Sequence, residues 1–283
     1  MNTDCAFYIG TTHDICQDYA LAGKNSIAVS DGCSGSPRSD IGSRVLSITA
    51  MNKMVELDSL ANFDEKECIL LARPAIKILN IPNECLDATL LTATAYETGA
   101  MALCYGDGVI AIKIKNGNLV IIDCAYSDSY PFYMNYLYDQ TGRYSDWIQN
   151  HNKRDVAQTV ISPEGEWIAT VSTKHNVERI ESDLGIIRLS ENRTAVEIVN
   201  KDEVEYVALM SDGVHSFYET ITTGTSKCNK SLSYINVVKE LLSFKNFNTS
   251  FVQRRMNKFR KNCAKKDWGN ADDVSLAVLY FGK

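Results

Sequence analysis

Apolar positions in the first 125 residues fall into short runs, each closed by a turn-forming residue. Cys5–Gly10 and Asn25–Ser30 predict strands, the second running into Asp31-Gly32. Between Asp40 and Leu57 the spacing of Ile41, Val45, Ile48, Met51 and Val55 predicts one helix face, with Asp40 as its N-cap. Asp64–Leu79 predicts a second helix, bent near Pro74. Four β-rich runs follow: Ala88–Tyr96, Ala100–Tyr105, Val109–Lys115 and Leu119–Ala125. Thr98-Gly99, Gly106-Asp107-Gly108 and Asn116-Gly117-Asn118 separate them, the punctuation of an antiparallel meander.

The pattern blurs from 126 to about 203. Tyr126, Tyr130, Phe132, Tyr133, Tyr136, Tyr138 and Tyr144 make a dense aromatic stretch, and Ser162-Pro163-Glu164-Gly165 predicts a turn with short strands after it. Glu205–Ser211 then predicts a strand leading into Asp212-Gly213, Leu232–Phe244 and Thr249–Lys265 predict helices, and Val274–Phe281 predicts a closing strand. Helices followed by hairpins, without regular βαβ alternation, imply an α+β fold with helices packed on antiparallel sheet. No linker or repeat divides the chain, so a single domain over 1–283 is expected, with a variable, flap-like segment around 126–203.

Composition narrows the function classes. The 283 residues carry 29 Lys and Arg against 35 Asp and Glu, a net charge of −6, which argues against nucleic acid as main partner. No apolar run approaches the roughly 18 residues of a membrane span, so no membrane role is expected. The first residues lack the basic-then-apolar order of a secretory signal, and the nine cysteines are scattered without C-x-x-C spacing. A cytoplasmic protein is the expectation. Nucleotide P-loop, serine-hydrolase and zinc-protease signatures are missing. Gly106-Asp107-Gly108-Val109-Ile110-Ala111 matches a dinucleotide fingerprint in letters only: Ile110, Ile112 and Ile114 alternate with Ala111, Lys113 and Lys115, which is strand period where that fingerprint needs a helix.

The chemistry that remains is carboxylate chemistry. Asp31 and Asp212 each end an apolar strand, Asp272 and Asp273 open one, Asp107 sits at an expected hairpin tip, and Asp18 precedes another short apolar run. Any one of them taken alone reads as an ordinary turn residue. If these strand ends share one rim, however, their carboxylates converge. Two unit charges 4 Å apart repel by about 4 kcal/mol even at an effective dielectric near 20. Such a cluster takes up protons or binds cations, and all-oxygen ligation selects hard ions, Mg²⁺ or Mn²⁺.

Six segments taken in order resemble one family. Cys16-Gln17-Asp18-Tyr19-Ala20, Val29-Ser30-Asp31-Gly32-Cys33-Ser34-Gly35, Thr92-Ala93-Thr94-Ala95, Gly106-Asp107-Gly108, Met210-Ser211-Asp212-Gly213-Val214 and Asp272-Asp273-Val274-Ser275 are similar to the motifs of the metal-dependent PPM/PP2C-type serine/threonine protein phosphatases, most of all a divergent bacterial branch. The resemblance implies a four-layer α-β-β-α sandwich, two antiparallel sheets flanked by helices. It implies hydrolysis of phosphoserine and phosphothreonine by direct attack of a metal-bridging hydroxide. Two Mn²⁺ or Mg²⁺ ions are implied: Asp31 would bridge them, Asp212 and Asp272 would complete the first, and the Gly32 carbonyl with the Gln17-Asp18 region would serve the second. Asp107 would contribute to a third, weaker ion, and Asp273 would orient rather than ligate. The implied partner is a phosphorylated protein, the target of a Ser/Thr kinase, acted on by a monomer.

Departures from the family pattern keep a rival reading open, a catalytically weak or inactive phosphoprotein-binding protein. His13 stands where the family often has a phosphate-gripping arginine, and reads either as part of the phosphate site or as an exposed loop residue. Cys33 replaces a frequent histidine, Gln17 a glutamate, and Ser216 a frequent aspartate. His215 has a turn reading and an acid reading. The basic residues of 251–266 (Arg254, Arg255, Lys258, Arg260, Lys261, Lys265, Lys266) flank an apolar stripe of Val252, Met256, Phe259 and Cys263, the pattern of a packed helix with a solvated basic face.

Overall fold

A computed structural model describes the chain except residues 57–61, 127–129, 139–140, 151–153, 163–164, 174–177, 183–184, 190–192, 224–225 and 283. The end of the first expected helix at Leu57, and Pro163-Glu164 of the expected turn, lie outside the described residues. The strands are β1 (Asn2–Tyr8), β2 (Asp18–Ala22), β3 (Ser26–Asp31), β4 (Leu90–Ala95), β5 (Ala100–Tyr105), β6 (Gly108–Ile114), β7 (Leu119–Tyr126), β8 (Arg154–Ser162), β9 (Gly165–Thr173), β10 (Glu178–Ser182), β11 (Gly185–Leu189), β12 (Arg193–Ile198), β13 (Val204–Met210), β14 (Phe217–Thr223), β15 (Ser226–Ser231), β16 (Trp268–Asn270) and β17 (Val274–Tyr280). The helices are α1 (Ser39–Glu56), α2 (Glu65–Ile78), α3 (Arg143–Asn150), α4 (Tyr234–Leu241) and α5 (Phe251–Lys265).

Two seven-stranded antiparallel sheets face each other, one ordered β1-β17-β13-β6-β7-β8-β9 and the other β10-β11-β12-β5-β4-β3-β2. A small β15-β14-β16 sheet stands beside them. The inward faces share one core, in which Ile27, Val29 and Leu91 of one sheet meet Ile110, Val207 and Leu279 of the other. The outer face of the first sheet is covered by α4 and α5, and that of the second by α1 and α2. This is the expected four-layer α-β-β-α order. Residues 126–203 supply β8 and β9 to one sheet and β10 to β12 to the other.

Several local expectations are corrected. The meander is split: β4-β5 and β6-β7 are hairpins of different sheets. Asp107 therefore sits where the chain crosses between sheets, not at a hairpin tip. Gly106 (φ +88°) and Gly108 (φ +136°) make that crossing possible, since side chains disfavour such dihedrals. Asp40 lies inside the first turn of α1, which begins at Ser39. The buried face of α1 is Ser43, Leu46, Ser47, Ala50, Met51 and Met54; of the expected stripe Met51 is buried, Ile41 and Val45 pack half-buried beside Cys85 and Leu86, and Ile48 and Val55 are exposed. The neighbouring chain runs very close at one point of the helix: a Cβ on Gly42 would lie 1.6 Å from the Cys85 carbonyl oxygen. The helix expected over Leu232–Phe244 is shorter, Tyr234–Leu241.

Other expectations stand. Asp64 caps α2 by accepting from the Lys66 and Glu67 amides. The α5 stripe of Val252, Met256, Phe259 and Cys263 is buried, joined by Arg255, whose Nε donates to the Leu241 carbonyl at 3.2 Å.

Candidate active site at one end of the sandwich

The strand ends carrying the aspartates meet at one rim. Asp18 opens β2 and Asp31 ends β3, and the two are direct partners across the antiparallel ladder. Asp212 follows β13 and Asp272 precedes β17, strands that pair from Met210↔Leu276 outward. Asp107 enters from the crossing before β6. A cleft of about 230 Å³ is lined by His13, Gln17, Asp31, Gly32, Cys33, Ser34, Thr89, Asp107, Asp212 and Asp272, with Pro131 and Tyr133 completing its wall.

Of the sequence-predicted residues, His13, Asp31, Gly32, Asp107, Asp212 and Asp272 reach this cleft. Asp18 does not line it. Fully buried behind Asp31, it accepts from Ser211 Oγ at 2.6 Å, and Ser211 Oγ itself accepts from the Ser275 amide at 3.0 Å. Asp273 turns away from the cleft to cap two amides, Gly10 N at 2.7 Å and Gln17 N at 2.6 Å. Gln17 spends its side chain on Ser39 Oγ at 2.9 Å, while its carbonyl accepts from the Gly32 amide at 3.2 Å.

His13 is held by carboxylates, its Nδ1 3.1 Å from Asp273 Oδ2 and 3.6 Å from Asp272 Oδ1. Burial lowers its pKa, but the hydrogen bond and charge of Asp273, with Asp272 and Asp18 behind it, outweigh that and raise it above the ordinary imidazole value. His215 points elsewhere. Its Nε2 lies 3.1 Å from Asp123 Oδ1 and its ring packs 4.4 Å from that of Tyr234. Ser216 Oγ accepts from the Asp272 amide at 3.1 Å, so this replacement for a family aspartate anchors a neighbouring strand end.

Residues outside the sequence reading complete the rim. Thr89 Oγ1 accepts from the Asp31 amide at 3.1 Å and the Thr89 amide donates to the Asp31 carbonyl at 2.8 Å. Ser211 supports Asp18, and Asp87 grips the loop after Gly32 through Cys33 N at 2.9 Å. Their only sequence signal was a hydroxyl or carboxylate next to a strand end, which is too common to single out.

The electrostatics are those of acids without counter-ions. Burial raises the Asp18 pKa to about 7. Asp31 is raised well above the usual carboxylate range, first by burial and then by the charges of Asp18 and Asp212. Asp107 and Asp272 are also raised, by burial and then by Asp212. Two carboxylate oxygens, Asp18 Oδ1 and Asp212 Oδ1, are buried without a hydrogen-bond partner among the described residues. Orphaned acceptors of this kind, in an all-oxygen set, fit a hard divalent cation. Among the described residues no three His, Cys, Asp or Glu side chains are already gathered into a metal site, so the fit is one of donor chemistry.

Comparison with known proteins agrees with this architecture. A bacterial serine phosphatase superposes with a TM-score of 0.52 over 100% of this chain and 99% of its own, at 14% identity. A form of a bacterial serine phosphatase with an arginine-to-alanine substitution superposes with a TM-score of 0.51 over 99% and 98%, at 10% identity. At such identities these superpositions show the fold. No curated protein sequence matches the chain. No described helix is long and apolar enough to cross a membrane. The family model for protein phosphatase 2C matches residues 11–261, and the chain belongs to that family.

Proposed function

We propose that the protein is a divalent-cation-dependent phosphatase acting on phosphoserine and phosphothreonine in proteins, as a monomer in the cytoplasm. The observation that carries the reading is the convergence of Asp31, Asp107, Asp212 and Asp272 on one cleft with His13. Asp31, Asp212, Asp272 and the Gly32 carbonyl would hold two Mn²⁺ or Mg²⁺ ions, with Asp18 behind them and Asp107 toward a third. Such ions supply a water of lowered pKa and positive charge for the phosphoryl oxygens.

The chain's own groups do the positioning. His13, oriented by Asp273, presents an imidazole N–H to a phosphoryl oxygen and stands in for the family's arginine as a monodentate partner. Asp18, braced by Ser211, keeps Asp31 from turning back into the protein. Thr89 fixes the backbone that presents Asp31 and Gly32. Tyr133 and Pro131 narrow the open side and limit access of bulk water.

The test is hydrolysis of a phosphothreonine peptide with Mn²⁺, against the same assay of Asp31→Asn. Phosphate release that depends on the metal and disappears in the variant supports the reading; an inactive wild type sinks it. The rival reading, a phosphoprotein-binding member without turnover, draws on Cys33 and Ser216 in place of the family's histidine and aspartate. It requires phosphopeptide binding without Mn²⁺ uptake in calorimetry.

A further inference from the structure

Asp87 lies outside the cleft, just after the 3-10 turn Asn83–Leu86, and is buried. It joins two stretches of chain that are far apart in sequence. From the loop after Asp31, Ser36 Oγ donates to its Oδ2 at 3.2 Å and the Cys33 amide donates to its carbonyl at 2.9 Å. From the aromatic stretch, Asn135 Nδ2 donates to Oδ1 at 2.8 Å and Arg143 Nη1 donates to Oδ2 at 2.6 Å. Asn135 is fully buried and also donates to the Asn83 carbonyl at 3.0 Å. The Arg143 guanidinium lies over the Tyr136 ring, 5.0 Å from its centroid.

The aromatic stretch meets the cleft through Tyr133, two residues from Asn135. Its ring packs on Tyr136 at 5.4 Å, and it lines the cleft together with Cys33, which packs on the same apolar cluster. Tyr133 thus stands against the same loop that Asp87 holds from behind.

We infer that Asp87 is a positioning residue that ties the aromatic segment 131–138 and Arg143 to the loop 32–36, and so sets Tyr133 as the substrate-facing wall of the cleft. A charge-assisted bond to Arg143 and a neutral bond to Asn135 on one carboxylate hold the segment in two directions. Asp87→Asn removes the charge and one of the two acceptor oxygens, so Arg143 and Asn135 can no longer both be held by this side chain, while the cleft carboxylates keep their own backbone supports. Tyr133 acts on the bound ester by closing the space around it, which is a binding role. The kinetic part of this inference rests on the phosphatase reading; the structural part does not.

The experiment uses the full chain with Mn²⁺ and a phosphothreonine peptide, and compares wild type, Asp87→Asn, Tyr133→Ala and the double variant. Asp87→Asn and Tyr133→Ala are each expected to raise KM about tenfold with kcat within about twofold, the signature of lost binding without lost chemistry. In the double variant KM is expected to equal that of Tyr133→Ala, since one residue acts through the other. Multiplying effects, or a fall in kcat alone, overturn the inference. Hydrogen exchange provides a second readout that needs no turnover. Protection in 32–36 and 131–138 is expected to fall together in Asp87→Asn, and in Ser36→Ala to fall in the loop first. Independent exchange of the two segments in Asp87→Asn overturns the tie, whether or not the wild type hydrolyses the peptide. Coordinated loss in an inactive wild type upholds the tie and refutes the phosphatase reading alone.

Discussion

Asp18 and Asp87 are both buried acids at the cleft end of the sandwich, and their surroundings are opposite. Asp87 is saturated by a guanidinium, an amide and a hydroxyl. Asp18 has one hydroxyl donor, an orphaned Oδ1 and a second acid directly across the ladder. Evolution of a stable fold alone explains the first arrangement. The second costs stability in the metal-free chain unless the acids take up protons or a cation joins them. The contrast separates an acid whose partners are already in place from one that lacks them, and the separation rests on partners, since burial is common to both.

The largest expected effect breaks the comparison at its functional side. Asp31→Asn should lower kcat/KM with Mn²⁺ by on the order of 10³-fold, the scale of removing a main electrostatic group from a site. The same variant should raise the melting temperature of metal-free protein, because it deletes a charge that Asp18 and Asp212 repel. A lower metal-free melting temperature would place Asp31 with the structural acids.

Asp87→Ala should do the reverse, destabilising the protein by about 3 kcal/mol with or without metal, as expected when one member of a buried charge pair is removed. Urea unfolding measures it. A loss below the scatter of surface substitutions would show that Arg143 contributes little.

Solution pH sharpens the same distinction. Below the unfolded pKa near 3.8 both states hold the Asp18 proton, and stability does not depend on it. Between there and about 7 the native state keeps the proton that the unfolded chain has lost, so stability falls as pH rises. Asp31, Asp107 and Asp272 are shifted in the same direction. Metal-free protein should therefore melt at a higher temperature at pH 5.5 than at pH 8. Mn²⁺ at about 100 times its Kd should add about 2.7 kcal/mol at pH 8 and progressively less as the ligands protonate. A metal-free melting curve that rises from pH 5.5 to 8 contradicts the account. The smallest effect concerns the basic face of α5: Lys258→Glu and Lys261→Glu should each change stability by less than about 0.5 kcal/mol and leave turnover unaltered.

About half of the strands and the aspartates at their ends were legible because each rests on a local signal repeated along the chain, whereas the four layers came only with the family resemblance. Alternation marks β6 and β7, and an Asp at a strand end marks Asp31 and Asp212. What escaped was decided by long-range packing. Two glycines turned an apparent meander into a crossing between sheets. The tilt of α1 on its sheet buried Ser43, Ser47 and Ala50 beside Leu46, Met51 and Met54 and left Ile48 and Val55 outside. Nothing near Asp87 in sequence announces Arg143, 56 residues away. The strands β14 to β16 carry weak patterns and were not anticipated, whereas α5, with a strong apolar stripe, was read almost to its ends.

The crossing at Gly106-Asp107 has a mechanical meaning. From Tyr105 in one sheet to Gly108 in the other the backbone has three Cα–Cα steps, which reach about 11 Å at full stretch. Packed sheets stand about 10 Å apart, so a connection this short leaves little slack between them. A longer one would let the strand ends that carry Asp31 and Asp212 drift relative to each other, and its brevity holds their spacing at the cleft.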